Sequence, residues 1–273
     1  EKIVERPIIQ KETVVVEKKV EVETRVEVEV TATAVSTATP VPLEPAPKPQ
    51  NASGVITFAM IKIAEGNGLN RVTSPCEDWA ICEDLFAPTA DTLSAPQLAT
   101  DWSVAADASS ITITIREGVN FNGGFGEVTA ADVAWSFNDA NPGYNDESIT
   151  DGGGLYSSMI GNQEILVVDK YTVKVPILQF DPRWQSWHFG QDGLSASVLS
   201  KAAFDQNGED WSFENFTGSG PFTVSEWVKD DRFVINAVSD HWRKTPLVDT
   251  IKGVAVPEQQ TRLAMMRVGE ADI

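Results

Sequence analysis

The chain has 273 residues, enough for one or two domains with a sizeable apolar core. Its 21 basic and 40 acidic side chains give a formal net charge of −19, which argues against a nucleic-acid binder because a phosphate backbone attracts a cationic surface. No apolar run reaches the ~18 residues of a membrane-spanning helix. Two cysteines and two histidines exclude a disulfide scaffold and a histidine-rich metal site.

The first fifty residues differ in composition from the rest of the chain. They contain no Gly, Trp, Tyr or Phe; valines recur on even positions between Val14 and Val30, and prolines recur between Pro40 and Pro49. The valines would suit a strand, but no second segment matches them, and the prolines favour an extended spacer. Residues 1–50 are therefore predicted to be either a disordered tail or a stalk that holds a folded body away from a surface.

The remainder of the chain is predicted to fold as an α/β body. Residues 54–64 are nearly all apolar and predict a buried first strand, which two glycines then end in a loop. Residues 78–86 predict a helix, because their large apolar side chains fall on one face. Alternation over residues 111–115 predicts a half-buried strand.

Later segments add hairpins and two helices. Thr129 and Asp132 have the spacing of a capping box and predict the start of a short helix. Two hairpins are predicted around residues 169–170 and 229–231, and a further strand over residues 251–256. The last predicted helix begins at Pro257 and ends at Gly269, with three apolar side chains facing inward: Leu263, Met266 and Val268.

Six motifs occur in a fixed order within residues 54–273. They are Leu98-Ala99-Thr100-Asp101-Trp102-Ser103, Ile115-Arg116-Glu117-Gly118-Val119-Asn120-Phe121, Thr129-Ala130-Ala131-Asp132-Val133-Ala134-Trp135-Ser136-Phe137, Gly218-Ser219-Gly220-Pro221-Phe222, Asp240-His241-Trp242 and Arg267-Val268-Gly269-Glu270-Ala271-Asp272-Ile273. Together they resemble the signature of extracytoplasmic solute-binding proteins, family 5, the peptide, dipeptide and nickel receptors of ABC importers. Two positions depart from the family pattern: the loop over residues 122–126 is about one residue longer, and His241 stands where Tyr is usual, which favours a packing role for His241.

This resemblance implies an α/β clamshell of the periplasmic-binding-protein type II (cluster C) class. Lobe one is expected over residues 51–87 and 177–273, with a small α/β domain inserted over residues 88–176. Members of the family are much longer than this body, so the second lobe is expected to be missing from the chain.

The resemblance also implies a function without chemistry. The chain would belong to the extracytoplasmic substrate-binding component of an ABC importer, a lipid-anchored monomer that captures peptides or similar small solutes and delivers them to membrane permease subunits. Neither a cofactor nor a metal is expected. A surface sensor or adhesion module built on the same clamshell is the alternative, whereas an enzyme is disfavoured because the sequence has no G-x-S-x-G, H-E-x-x-H or P-loop motif.

Two loops are the first candidates for ligand contact, since α/β sheets bind ligands at the carboxyl ends of their strands. The loop after the first strand contains Glu65, Gly66, Asn67 and Leu69; Glu65 would meet a ligand ammonium group, or the loop is simply solvated. The second candidate is the segment Gly218, Ser219 and Gly220. Its N–H groups would face the cleft, or it is only a tight turn into the next strand.

Aromatic and sulfur-containing residues give further candidates with open alternatives. Tyr156 follows three glycines and would form an aromatic wall on a mobile loop. Trp187 and His188 lie in an aromatic cluster that is either buried core or a stacking surface for a ligand. Cys76 and Cys82 would form a local disulfide in an oxidising compartment, or remain two thiols.

Overall fold

The computed structural model describes residues 53–64, 68–71, 76, 79–92, 94–150, 153–190 and 197–273. The expectations for the tail over residues 1–50, and for Glu65, Gly66 and Asn67, lie outside the described residues. In chain order the strands are β1 Val55–Met60, β2 Phe86–Ala87, β3 Ala95–Pro96, β4 Ala99–Val104, β5 Ser110–Ile115, β6 Leu166–Asp169, β7 Thr172–Pro176, β8 Phe222–Val228, β9 Arg232–Ala237 and β10 Thr250–Ala255. The helices are α1 Ala130–Ala140, α2 Gly153–Ile160, α3 Trp184–Trp187, α4 Lys201–Asn207, α5 Glu209–Glu214 and α6 Gln259–Val268.

One four-stranded sheet has the order β1-β10-β9-β8. β1 and β10 are parallel, and the remaining neighbours are antiparallel. The strands β8 and β9 form the hairpin predicted around residues 229–231, where Asp230 adopts the left-handed φ of 55° that Asp tolerates in tight turns. β1 is half-buried rather than buried, which corrects the prediction for this strand.

A second four-stranded sheet is antiparallel throughout, in the order β4-β5-β7-β6. The alternation that predicted β5 is confirmed, with Ile111, Ile113 and Ile115 buried. The hairpin predicted around residues 169–170 is formed by β6 and β7. All four strands lie between residues 99 and 176, within the range over which an inserted domain was expected.

Helix α1 begins where the capping box predicted it. The N–H and the hydroxyl of Thr129 both donate to the Asp132 carboxylate, at 2.9 and 2.7 Å. Val133 and Phe137 are buried in the core of the second sheet. Trp135 packs instead with the core of the first sheet, its ring 5.0 Å from that of Phe204 on α4. α1 therefore contributes side chains to both cores.

Two helix predictions are corrected by the structure. Described residues between 79 and 86 form turns and a short bridge rather than a helix, and Ala80 has a positive φ of 53°. Helix α6 exists and ends at Gly269 in the left-handed conformation, as predicted. However, Leu263, Met266 and Val268 are 40%, 47% and 69% exposed, so they do not face inward within the described structure.

Candidate functional site

The described chain is fixed just before the predicted ligand loop. The carbonyl of Ala64 accepts a hydrogen bond from the indole N–H of Trp227 at 3.0 Å. The carbonyl of Ile63 accepts one from the N–H of Asp230, also at 3.0 Å. Both donors belong to the β8–β9 hairpin, so the sheet itself holds the chain where it enters the loop.

The chain is fixed again directly after the loop. The Gly68 N–H donates to the Phe213 carbonyl at 3.1 Å. A Cβ at Gly68 would lie 1.9 Å from the Asn215 carbonyl oxygen and 2.4 Å from that of Ser212, so only glycine allows this approach. Leu69, a predicted ligand contact, is 1% exposed and therefore packs inside the protein.

Asn70 continues this anchor with a fully buried side chain. Its Nδ2 donates to the carbonyls of Ser136 on α1 and Ser197, at 3.0 and 2.7 Å. Its Oδ1 lies 3.4 Å from the Ser197 N–H. The amide thus links three separate segments of the chain, and no local sequence pattern pointed to it.

Arg71 adds an ion-pair network beside Asn70. Its backbone N–H and its Nε bind the two carboxylate oxygens of Asp139 at 3.0 and 2.9 Å. Its Nη1 reaches Glu147 at 2.7 Å and Glu209 at 3.3 Å. Burial raises the pKa of Asp139, and the Arg71 guanidinium opposes that effect. The predicted ligand loop is therefore bounded by fixed residues on both sides.

Cys76 and Cys82 form a disulfide in the structure, with Cα atoms 5.3 Å apart. The carbonyl of Cys76 accepts hydrogen bonds from the N–H groups of Ile81 and Cys82, at 3.0 and 3.2 Å. This closed loop replaces the predicted helix, because the cross-link and both hydrogen bonds fold the segment back on Cys76.

The segment Gly218, Ser219 and Gly220 packs directly on the cross-linked loop. A Cβ at Gly220 would lie 2.4 Å from the Ala80 carbonyl oxygen, and one at Gly218 would lie 2.3 Å from that of Ile81. The Gly220 N–H donates to the Ile81 carbonyl at 2.9 Å, so it is not available to a ligand. The glycines here serve close packing, and Ser219 is 1% exposed.

The loop with the unusual length, residues 122–126, closes over the same segment. The Asn122 N–H donates to the Gly218 carbonyl at 3.0 Å, and its Nδ2 donates to the Gly220 carbonyl at 2.9 Å. Phe125 lies edge-on to Trp211, with ring centroids 5.8 Å apart. The second sheet's loop is therefore docked on the first sheet's glycine segment.

His241 and Ser219 form a buried polar contact at this junction. The His241 Nε2 lies 3.1 Å from the Ser219 carbonyl oxygen. The Ser219 Oγ is buried and has no hydrogen-bond partner among the residues that the structure describes. Packing of His241 against Trp242, with centroids 5.6 Å apart, agrees with the packing role expected for this histidine.

Glu83 is the centre of a buried network that the sequence did not reveal. Its carboxylate, with no exposed surface, accepts from Arg243 Nη2 at 3.0 Å and Gln97 Nε2 at 3.4 Å, and from the Trp242 indole N–H. The His241 Nε2 lies 3.3 Å away. Trp242 of the Asp240-His241-Trp242 motif therefore has a structural role, because its indole N–H and the adjacent Arg243 guanidinium both bind the buried Glu83 carboxylate.

The neighbouring carboxyl group of Asp84 is also buried. Burial raises its pKa to about 7, and the nearby Glu83 charge adds to that rise, while a hydrogen bond from Ser197 opposes it. The Asp84 carboxyl group is thus protonated more readily than that of an exposed aspartate.

The aromatic candidates lie in the core of the second sheet. Tyr156 lies on helix α2, not on a loop, and it has no exposed surface; its ring centroid is 6.2 Å from that of His188 and 5.9 Å from that of Phe137. This corrects the prediction of an aromatic wall on a mobile loop. The structure thus brings Tyr156 and His188 together as core residues.

His188 is held by a carboxylate. Its Nε2 lies 3.3 Å from Asp181, and burial lowers the pKa of His188 although Asp181 opposes this. Trp187 is half-buried, with the Arg183 guanidinium 3.9 Å from its ring centroid. In the described residues, no three potential metal ligands converge.

None of the described helices combines the length and apolar character needed to cross a bilayer.

Two curated proteins illustrate what the chain is similar to. It is 28% identical over 196 residues to the dipeptide-binding protein DppE of Bacillus subtilis (strain 168), covering 65% of this chain and 34% of DppE. It is 28% identical over 175 residues to the glutathione-binding protein GsiB of Salmonella paratyphi A, covering 64% and 32%. The chain spans about a third of the length of these relatives.

Solved structures share the fold. DppA from Helicobacter pylori in complex with the peptide STSA matches 81% of this chain and 46% of its own, with a TM-score of 0.66 and 24% identity. MoaA from A.tumefacien R10 in complex with mannopinic acid matches 81% and 44%, with a TM-score of 0.68 and 21% identity. The fold is thus the mixed α/β fold of type II periplasmic binding proteins. Residues 94–273 match the family described as "Bacterial extracellular solute-binding proteins, family 5 Middle", and the chain belongs to this family.

Proposed function

We propose that this chain is part of a receptor that captures a peptide or similar small solute and releases it unchanged. Family membership supports solute binding, and the relatives' names include dipeptide- and glutathione-binding proteins. In the proposed mechanism the solute is held by noncovalent contacts, and closure of a second lobe would bury it. No bond is broken.

The observation that carries this proposal is the fixing of both ends of the loop after β1. Ala64 is held by the Trp227 indole, and Gly68 is held by the Phe213 carbonyl, so only residues 65–67 lie between the anchors. Fixed ends lower the conformational entropy that the loop loses when it contacts a ligand. Anchored flanking residues of this kind suit a loop that contacts a ligand, and this supports the proposal.

Within this loop, Glu65 is proposed to bind a cationic group such as a peptide ammonium. A charge-assisted hydrogen bond of this type contributes about 1.5–3 kcal/mol. Gly66 and Asn67 would offer main-chain groups to the same solute. The segment Gly218 and Ser219 is proposed to pack behind this side of the cleft and to support it without contacting the solute.

The cellular role is proposed from family membership. Family members are extracytoplasmic, and we propose that the loaded receptor, as a monomer, delivers its solute to the permease subunits of an ABC importer. The Val- and Pro-rich composition of residues 1–50 suits a spacer between the folded body and a lipid anchor on the membrane.

The test is to identify what the full-length protein carries. The protein is purified without denaturation, and released small molecules are identified by mass spectrometry and then titrated back by calorimetry. Glu65→Gln should weaken binding of a cationic solute at least tenfold, whereas Glu117→Gln, at an exposed turn, should change it less than twofold. Release of a chemically altered product would contradict the proposal, as would full affinity in Glu65→Gln.

A further inference from the structure

Among the described residues, the second sheet has two edge strands without a further strand partner, and the two differ in character. The edge strand β4 carries Thr100, Asp101 and Ser103, and its pairing with β5 is interrupted by a register shift between Ala99 and Asp101. Polar side chains and irregular pairing are usual protections of an edge strand. The opposite edge strand, β6, has the sequence Leu166-Val167-Val168-Asp169.

Edge strand β6 is apolar and exposed. Leu166, Val167 and Val168 are 49%, 51% and 58% exposed. A short apolar strand with an unpaired edge is a template for pairing with another strand. Asp169 is the single charged residue in this strand.

The alternation of backbone hydrogen bonds along β7 shows which N–H and carbonyl groups of β6 point away from the sheet. The carbonyl of Tyr171 accepts from Ile115 and the N–H of Ile177 donates to Ser109, so odd residues of β7 point toward β5. Val173 therefore also points to β5, and Val167, which lies opposite Val173, directs its N–H and carbonyl away from β7. In the part of the chain that the structure describes, these two groups have no partner.

The side chain of Asn138 agrees with this alternation, because it binds the outward-facing groups of Ile165, where the open edge of β6 begins. Its side-chain Oδ1 accepts from the Ile165 N–H at 3.0 Å, and its Nδ2 donates to the Ile165 carbonyl at 3.5 Å. The amide thus satisfies both outward groups of Ile165, as a neighbouring strand would. The next outward pair, two residues further on at Val167, is left open.

A groove of about 590 Å³ runs beside this edge. Four consecutive residues, 164–167, line it together with Trp135 and Tyr144. Side chains of a strand alternate between its two faces, so a groove that touches four residues in succession follows the edge of the strand. Main-chain pairing with β6 would therefore place the side chains of an added strand beside this groove.

The charges of the groove favour a basic occupant. Asp139 is paired with Arg71, and Lys201 is paired with Asp205 at 2.6 Å. Asp146 and Glu164 also line the groove and have no ion-pair partner in the described ranges. Two uncompensated carboxylates remain beside the open edge.

We propose that the free edge of β6 and the groove beside it bind an extended, basic segment of a partner protein, which adds a fifth strand to the sheet. Main-chain hydrogen bonds to Val167 would supply the pairing, and Asp146 and Glu164 would select basic side chains. A second copy of this chain is a poorer fit, because its net charge of −19 repels it. This site uses none of the residues proposed to bind the transported solute.

The probe is a fluorescent, end-blocked octapeptide of alternating lysine and valine, titrated with the full-length protein by anisotropy. The binding variant is Val167→Pro, which removes an outward N–H without breaking the ladder to β7. The matched control is Val104→Pro: Val104 is also an edge valine, 40% exposed, at the opposite edge of the sheet. We expect Val167→Pro to weaken binding at least tenfold and Val104→Pro to change it less than twofold.

Three further measurements separate the alternatives. Glu164→Lys combined with Asp146→Lys should weaken binding at least fivefold and reduce its salt dependence, which also tests the proposal if Val167→Pro fails to fold. An alternating glutamate and valine peptide should bind at least tenfold more weakly than the lysine peptide. Equal binding of both peptides, no binding of the lysine peptide at 1 mM, or self-association abolished by Val167→Pro would each overturn the proposal.

Discussion

Helices α1 and α6 both follow clear sequence signals, yet they are buried to very different extents. α1 has nine buried residues and contributes to both cores, whereas α6 has none and exposes Leu263 and Val268. A capping box fixes where α1 begins, and a glycine fixes where α6 ends. Burial depends on what packs against each helix, so similarly spaced apolar side chains stabilise the protein more in α1 than in α6.

Phe137→Ala in α1 should cause the largest loss of stability. The side chain is fully buried beside Tyr156 and Phe189, so its removal leaves a cavity and should lower the free energy of unfolding by about 3–5 kcal/mol. Urea unfolding followed by circular dichroism measures it. A decrease in the free energy of unfolding below 1 kcal/mol would show that the deeper burial of α1 does not make it more important for stability than α6.

Asn70→Ala should cost about 2–3 kcal/mol, because it leaves buried carbonyls of Ser136 and Ser197 without their donor. The same unfolding assay applies, with Asn120→Ala at an exposed position as the matched control. Since Asn70 ties the ligand loop to α1, the variant should also bind solute more weakly. Unchanged stability would show that the Asn70 side chain does not anchor this part of the chain.

Replacing Cys76 and Cys82 together by serine should lower stability by about 2 kcal/mol, since the disulfide closes a short loop. Reduction of the wild-type protein should reproduce this loss, and the reductant should leave the double variant unaffected. If the reductant destabilises both proteins equally, the disulfide does not hold the turn.

Asp84→Asn should change how stability depends on pH. The folded-state pKa is raised from 3.8 to about 7, so the native state binds more protons than the unfolded chain between these values. Stability contributed by this group is therefore present at low pH and is lost as pH rises from about 4 to 7, by at most roughly 1.4 kcal/mol per pH unit. Thermal unfolding at successive pH values should show this decline in the wild type but not in Asp84→Asn; parallel curves would contradict it.

Leu263→Ala in α6 should have the smallest effect, within about 0.5 kcal/mol, because the side chain is already 40% exposed. The same urea unfolding assay compares this loss with that of Phe137→Ala in α1. A loss above 2 kcal/mol would mean that the exposed face of α6 is covered in solution.

The sequence predicted elements whose signals are local. The alternation at Ile111–Ile115, the Thr129–Asp132 cap and the turn at Asp230 all appear in the structure because neighbouring residues determine them. Residues 79–86 failed as a helix because a disulfide and hydrogen bonds to Cys76 override the apolar spacing.

The anchors of the candidate site could not be predicted in the same way. Asn70 bonds to residues 66 and 127 positions away, and Glu83 bonds to residues about 160 positions away. Such pairs depend on tertiary structure and leave no periodic pattern. Gly220 was proposed as a ligand contact, but its described contacts, like those of Gly68, show close packing of the backbone.

The most direct test of the central claim is a crystal structure of the full-length protein with its co-purified solute. The account predicts an unmodified solute in contact with the loop at residues 65–67, on the side of the protein supported by the Gly218–Gly220 segment. A solute bound elsewhere, without contact to residues 65–67, would contradict it.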